Sequence, residues 1–156
     1  CHDRHSSHRL RLQGRCYPNP AENTQQTAPV QQEQTQTGKA LALINTFATG
    51  DTDTARSLLA DGYIQHNLAY GTGADAFIGS VEYLTSADVK TTVNNIRAFE
   101  DGDEVFLQTI YNFAGAGEQI AFDIFRFDEN GKIAEHWDVM ETIADQSTWQ
   151  NQNGKF

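Results

Sequence analysis

Between Lys39 and Leu84 the apolar residues recur at helical spacing, and from Val93 onward they alternate. Ala40, Leu43, Ile44 and Phe47 fall on one face, with Gly50 placed as a stop, so a helix is expected over 39–49. A second short helix is expected after Asp53, carrying Leu58 and Leu59 and ending at Asp61-Gly62, with a short extended stretch through Tyr63 and Gln65 into His66-Asn67. A third, over 74–85, sets Phe77, Ile78, Val81 and Leu84 on one side. Four runs rich in β-branched and aromatic residues follow, 93–99, 105–113, 119–127 and 133–141, parted by Asp101-Gly102, Gly115-Ala116-Gly117 and Asn130-Gly131. Three helices and then an antiparallel meander predict an α+β fold in which a curved sheet wraps the helices and leaves a pocket at its open end.

Asn130-Gly131 reads as a two-residue type I′ hairpin turn, since both residues tolerate positive φ. Pairing Glu129 with Lys132 then sets Arg126 opposite Glu135, Phe125 opposite His136, Ile124 opposite Trp137 and Asp123 opposite Asp138. One face of the hairpin carries Asp123, Phe125, His136, Asp138 and Met140. The other carries Phe122, Ile124, Arg126, Glu135, Trp137 and Val139. A carboxylate beside another in a partly apolar pocket has its charged form disfavoured, which suits it to give or take protons. A histidine beside them can shuttle a proton or hydrogen-bond a substrate oxygen. Asp123, Asp138 and His136 are therefore the candidate catalytic residues, with Phe125 and Met140 as substrate-binding neighbours. Spacing alone equally allows two solvated acids, or acids bonded to tyrosine and backbone groups. Tyr63, His66 and Asn67 are further candidates for substrate binding, although a histidine ending a strand is more often a hydrogen-bonded structural residue and Tyr63 could simply fill core. On the opposite face Arg126 and Glu135 read as a cross-strand ion pair, and Phe122, Ile124, Trp137 and Val139 as core or as a surface for an isologous homodimer.

Composition changes near Lys39. Residues 1–38 hold four arginines, His2, His5, His8 and a Gln/Thr/Pro tract over 25–37 without apolar periodicity, so they are read as a disordered or extended polar tail, and 39–156 as the one folded domain. Cys1 and Cys16, the two cysteines, both lie in that tail and cannot staple the core. They read as incidental thiols, as a local disulfide, or, for Cys1, as the processed end of a lipoprotein. The chain does not begin with Met, so a signal sequence is among the segments that could precede Cys1. Localisation stays open between the cytoplasm and export. The net charge of −10 repels a phosphate backbone, and 18 Asp/Glu against 7 Lys/Arg from residue 39 onward place that charge in the domain. No nucleic-acid partner is expected. No apolar run approaches the roughly 18 to 20 residues of a membrane span, so a soluble chain is expected. The tail offers no scaffold for its histidines, and no metal site is expected.

Tyr63-Ile64-Gln65-His66-Asn67, Asp123-Ile124-Phe125-Arg126 with the turn Glu129 to Ile133, Glu135-His136-Trp137-Asp138-Val139 and the closing Asn153-Gly154-Lys155-Phe156 together resemble the SnoaL-like family, and within it proteins described as predicted aldol-condensation enzymes. The resemblance spans about residues 39–156. It implies the cone-shaped fold of the nuclear transport factor 2-like superfamily, shared with ketosteroid isomerase, scytalone dehydratase and limonene epoxide hydrolase. It also implies chemistry on a small organic molecule without a cofactor. As in polyketide cyclases of the SnoaL type, Asp123 or Asp138 would remove a proton α to a carbonyl, and His66, Asn67 and His136 would bind or polarise oxygens. Aldol-type cyclisation, isomerisation or dehydration, a lyase or isomerase activity, is the leading expectation. A non-catalytic ligand-binding or dimerisation module of the same fold, and an epoxide hydrolase, are the alternatives. The chain departs from many relatives in having Leu68 where they have Pro, and Gln108 and Ile110 where they often have histidines.

Overall fold

The computed structural model of the chain describes residues 34–156. The expectations for Cys1, Cys16, His2, His5, His8 and most of the polar tract lie outside the described residues. Helix α1 (Gln36–Thr49) starts three residues before the apolar pattern does, because Thr35 caps it by accepting the Gly38 N–H at 3.0 Å. It stops at Gly50, whose φ of 73° is left-handed and whose N–H returns to the Thr46 carbonyl at 2.8 Å. Asp51 caps α2 (Thr52–Leu58) through the Thr54 N–H, at 3.0 Å.

Helix α2 ends earlier than its apolar residues suggested. Leu59 already belongs to strand β1 (Leu59–Gln65), which pairs parallel to the last strand, and Asp61-Gly62 sits in an irregularity of that pairing and not at a helix end. Leu59 and Tyr63 are buried while Asp61 between them is exposed, so the i, i+4 spacing reads as helix and strict strand alternation is missing. Helix α3 (Ala74–Ser86) buries Phe77, Ile78 and Val81. The meander then runs β2 (Thr92–Asp101), β3 (Glu104–Asn112), β4 (Glu118–Phe127) and β5 (Ile133–Thr142). Spatial order is β1-β5-β4-β3-β2, so the α+β sheet is five-stranded and mixed rather than four-stranded and wholly antiparallel.

The β4–β5 register is the expected one, with Asp123 opposite Asp138 and Phe125 opposite His136, but the turn is not type I′. Gly131 alone in it has positive φ, and the loop is closed by Gly131 N–H to the Asp128 carbonyl and by Asp128 N–H to the Lys132 carbonyl. That longer loop shifts the pairing by one residue, and a bulge beside Arg126 and Phe127 shifts it back. Helices α1 and α3 pack on the concave face, where Leu43, Ile44, Val81, Leu107, Phe125 and Ile133 are fully or almost fully buried. The convex face leaves Phe99, Phe122 and Val139 exposed. Among the described residues no helix is long and apolar enough to cross a membrane.

Candidate functional site

The sheet curls away from α1 and α3 at one end, leaving a cavity of about 700 Å³. Phe47, Phe77, Leu84 and Phe113 form apolar walls, and Tyr63, Gln65, Tyr111, Asp123, His136 and Asp138 form a polar floor. No Lys or Arg among the described residues lines it. Phe125 and Met140 line it too, the former stacking on the His136 ring at 4.6 Å between centroids.

Period two along β4 and β5 turns Asp123, His136 and Asp138 to this side. Asp123 and His136, 4% and 7% exposed, meet at 2.8 Å between Oδ1 and Nε2. The other Asp123 oxygen, Oδ2, accepts from the Tyr111 hydroxyl at 2.8 Å. His136 Nδ1 lies 2.7 Å from Gln65 Oε1. Asp138 is less enclosed and shares no hydrogen bond with Asp123; its Oδ2 accepts from the Asn67 amide at 2.9 Å. The same amide is 4.0 Å from Met140 Sδ. Burial first, and then the negative charges of Asp123 and Asp138, push the Tyr63 phenol up. Tyr111 is raised for the same leading reason, followed by the charge of Asp123 and its hydrogen bond to that residue.

The strand end explains where His66 and Asn67 go. Tyr63 and Gln65 face the cavity, so His66 faces the other way. Its Nε2 lies 2.6 Å from Glu135, and its ring stacks on Trp137 at 4.9 Å with 3° between planes. Neither His66 nor Asn67 is among the cavity-lining residues. Asn67 curls back because its side-chain oxygen accepts the Ala69 N–H at 3.0 Å, leaving its NH₂ to face Asp138. Arg126 and Glu135 form the cross-strand ion pair at 3.0 Å. Gln108 and Ile110 lie on the convex side of β3, away from the floor.

Gln65 and Tyr111 were not singled out from the sequence. Extending the period of Tyr63 by two residues finds Gln65. Tyr111 sits four positions past Leu107, which pairs with Asp123, and only the length of its side chain brings the hydroxyl to the acid. Asp123, His136 and Asp138 are also a set of described residues with ligand atoms close enough to hold a cation, all within 4.8 Å of one another. A cation there would have to replace the hydrogen bond between His136 Nε2 and Asp123.

The model of the SnoaL-like domain family matches residues 40–136. No curated protein sequence is significantly similar to the chain. Among solved structures, a nuclear transport factor 2-like protein of unknown function from Cytophaga hutchinsonii superposes with a TM-score of 0.60 at 17% identity, covering 71% of this chain and 94% of that one. An epoxide hydrolase of limonene-epoxide-hydrolase-like type from M. tuberculosis gives a TM-score of 0.59 at 18% identity, covering 68% and 82%. IdmH, a proposed polyketide cyclase of Streptomyces antibioticus, gives 0.55 at 19% identity, covering 68% and 91%. Identities this low carry the fold across and not the reaction.

Proposed function

The chain belongs to the SnoaL-like domain family, and from that premise we propose that it is a cofactor-independent enzyme moving protons on a small carbonyl compound, by aldol-type cyclisation, isomerisation or dehydration. The observation that carries this reading is the buried Asp123–His136 contact of 2.8 Å on the floor of a cavity with apolar walls. Proton transfer needs an acid and a base held in one dry place, and this floor supplies both.

Among the carboxylates, Asp138 is the base. Both Asp123 oxygens are spent on His136 and Tyr111, whereas Asp138 Oδ1 has no hydrogen-bond partner among the described residues. Asp138 would take the proton α to a carbonyl, the resulting enolate would attack a second carbonyl carbon, and the same proton would return to the alkoxide oxygen. No oxidant or co-reactant enters. Asp123 and His136 hold a second proton between them beside the reacting carbon. Asn67 orients Asp138, while Phe125 and Met140 pack against the substrate skeleton.

A likeness to an epoxide hydrolase favours one second reading, in which Asp138 takes a proton from water, the water oxygen bonds to an epoxide carbon as its C–O bond breaks, and the proton returns from Asp138 to the ring oxygen to give a diol. We also place the homodimer on the convex face, where Phe99, Phe122 and Val139 are exposed. The test is a screen of carbonyl and epoxide compounds on the wild type and on Asp138→Asn and Asp123→Asn. Turnover that needs Asp138 supports the reading, and the substrate class separates its two forms. Turnover surviving both substitutions removes these carboxylates from the mechanism; binding without turnover across the screen favours a ligand-binding module.

A further inference from the structure

The amide of Gln65 touches three groups on the cavity floor, and one of them fixes which way round it sits. The oxygen and nitrogen of a glutamine amide are told apart only by what they face. The Asn67 backbone N–H, which can only donate, points at one end of the amide at 2.9 Å. That end must be the oxygen. The same oxygen lies 2.7 Å from His136 Nδ1, so Nδ1 must carry a hydrogen. The neutral imidazole protonated only at Nε2 is thereby excluded. His136 therefore meets Asp123 in one of two forms, as a bare Nε2 facing a carboxylic acid or as an imidazolium facing a carboxylate, with one proton between them in both.

The other end of the amide then has to be the NH₂, and it donates to the Tyr63 hydroxyl oxygen at 3.2 Å. This is the one hydrogen bond that hydroxyl makes among the described residues. Its own hydrogen is left to point elsewhere. Tyr63 is 2% exposed and lines the cavity, so the open side of its oxygen is the side a ligand would occupy. A phenol held protonated by burial is a donor there and not a base.

We propose that Gln65 is a positioning residue that sets the direction of two hydrogens at once, turning the His136 Nδ1–H away from Asp123 and the Tyr63 hydroxyl hydrogen toward the cavity, where it donates to a substrate oxygen. The donor role of Tyr63 rests on the enzyme reading; the direction of the two hydrogens does not. In an enolising substrate the Tyr63 hydrogen bond strengthens as the carbonyl oxygen gains charge, which makes Tyr63 the oxyanion donor opposite the Asp138 base.

Two substitutions separate the two directions. Gln65→Glu keeps an oxygen for Asn67 N–H and His136 Nδ1–H but puts a second acceptor against Tyr63, so the hydrogen-bond direction reverses at Tyr63 and not at His136. Gln65→Leu removes both contacts. Nitrogen NMR of His136 in the ligand-free protein should show a protonated Nδ1 in the wild type and in Gln65→Glu, and a tautomer mixture in Gln65→Leu. The Tyr63 ring-carbon resonance next to oxygen should move in Gln65→Glu, as the phenol changes from accepting to donating, with His136 Nδ1 still protonated. A wild-type His136 with a bare Nδ1 overturns the proposal even if neither variant folds. So does a Tyr63 resonance unchanged in a folded Gln65→Glu. Both readings are made without substrate, so their failure is distinguishable from a failure to find turnover.

Discussion

Asp123 and Asp138 face each other across β4 and β5 as register partners, yet each is held by different groups and no hydrogen bond joins them. Two adjacent acids with separate partners can do separate work. Asp123→Asn disturbs a buried contact with His136 and should cost about 1–3 kcal/mol of stability, read by urea unfolding. Asp138→Asn can still accept from Asn67 and should change stability by less than about 1 kcal/mol. On turnover, Asp138→Asn should cost about 100-fold or more in kcat. Equal stability losses in the two variants would contradict this division.

Tyr63 and Tyr111, two of the five tyrosines, are raised by burial and by the neighbouring acids. Ultraviolet titration of the folded protein should leave these two protonated above about pH 10, where free phenols ionise. A raised acid stabilises the fold fully below its unfolded pKa, so stability should fall as pH climbs through and beyond that value. Phe variants at both positions should flatten that alkaline decline.

Glu135 shows the opposite sign. Its hydrogen bond with His66 first, helped by the hydrogen bond and charge of Arg126, holds its carboxyl below the usual range against a desolvation effect that exceeds either Arg126 contribution. The stabilisation is present above the unfolded carboxylate pKa and lost as pH falls through the folded one. Glu135→Gln should remove part of the acid-side loss of stability seen in thermal unfolding between about pH 5 and pH 2.

Gly50 is left-handed, and a Cβ on it would lie 2.6 Å from Thr85 Oγ1. Gly50→Ala should therefore lose about 1–3 kcal/mol, measured by chemical unfolding. Adding Thr85→Ala should return only the part due to contact, because the backbone strain remains.

For the convex face, the expected outcome is a dimer of wild type by size-exclusion chromatography at micromolar concentration, shifted to monomer by Val139→Glu. A monomeric wild type would remove the dimer.

The meander was legible because its strands alternate cleanly and each break carries Gly, and the faces followed from one register. That register was reached through the wrong turn, since a longer loop and a bulge cancel in their effect on pairing. Strand β1 was legible only in its second half, as the extended stretch through Tyr63 and Gln65: burial is interrupted at Asp61-Gly62, and the partner β5 lies some seventy residues along the chain, where local pattern cannot reach. The same gap hid Gln65 and left the side of His66 undecided. The polar amides of 65–67 are ordered by backbone N–H groups, which no side-chain pattern displays.

That late partner of β1 also bears on the order of folding. Strands β2 to β5 can zip from their own hairpins, but Gln65 reaches His136 only by closing a loop of 71 residues. Tyr111 on β3 and the acids on β4 and β5 can therefore assemble before the strand that orients their protons arrives. A chain arrested at that point would hold a greasy, acidic hollow with an undirected histidine, open along the bare edge of β5 to whatever strand comes by.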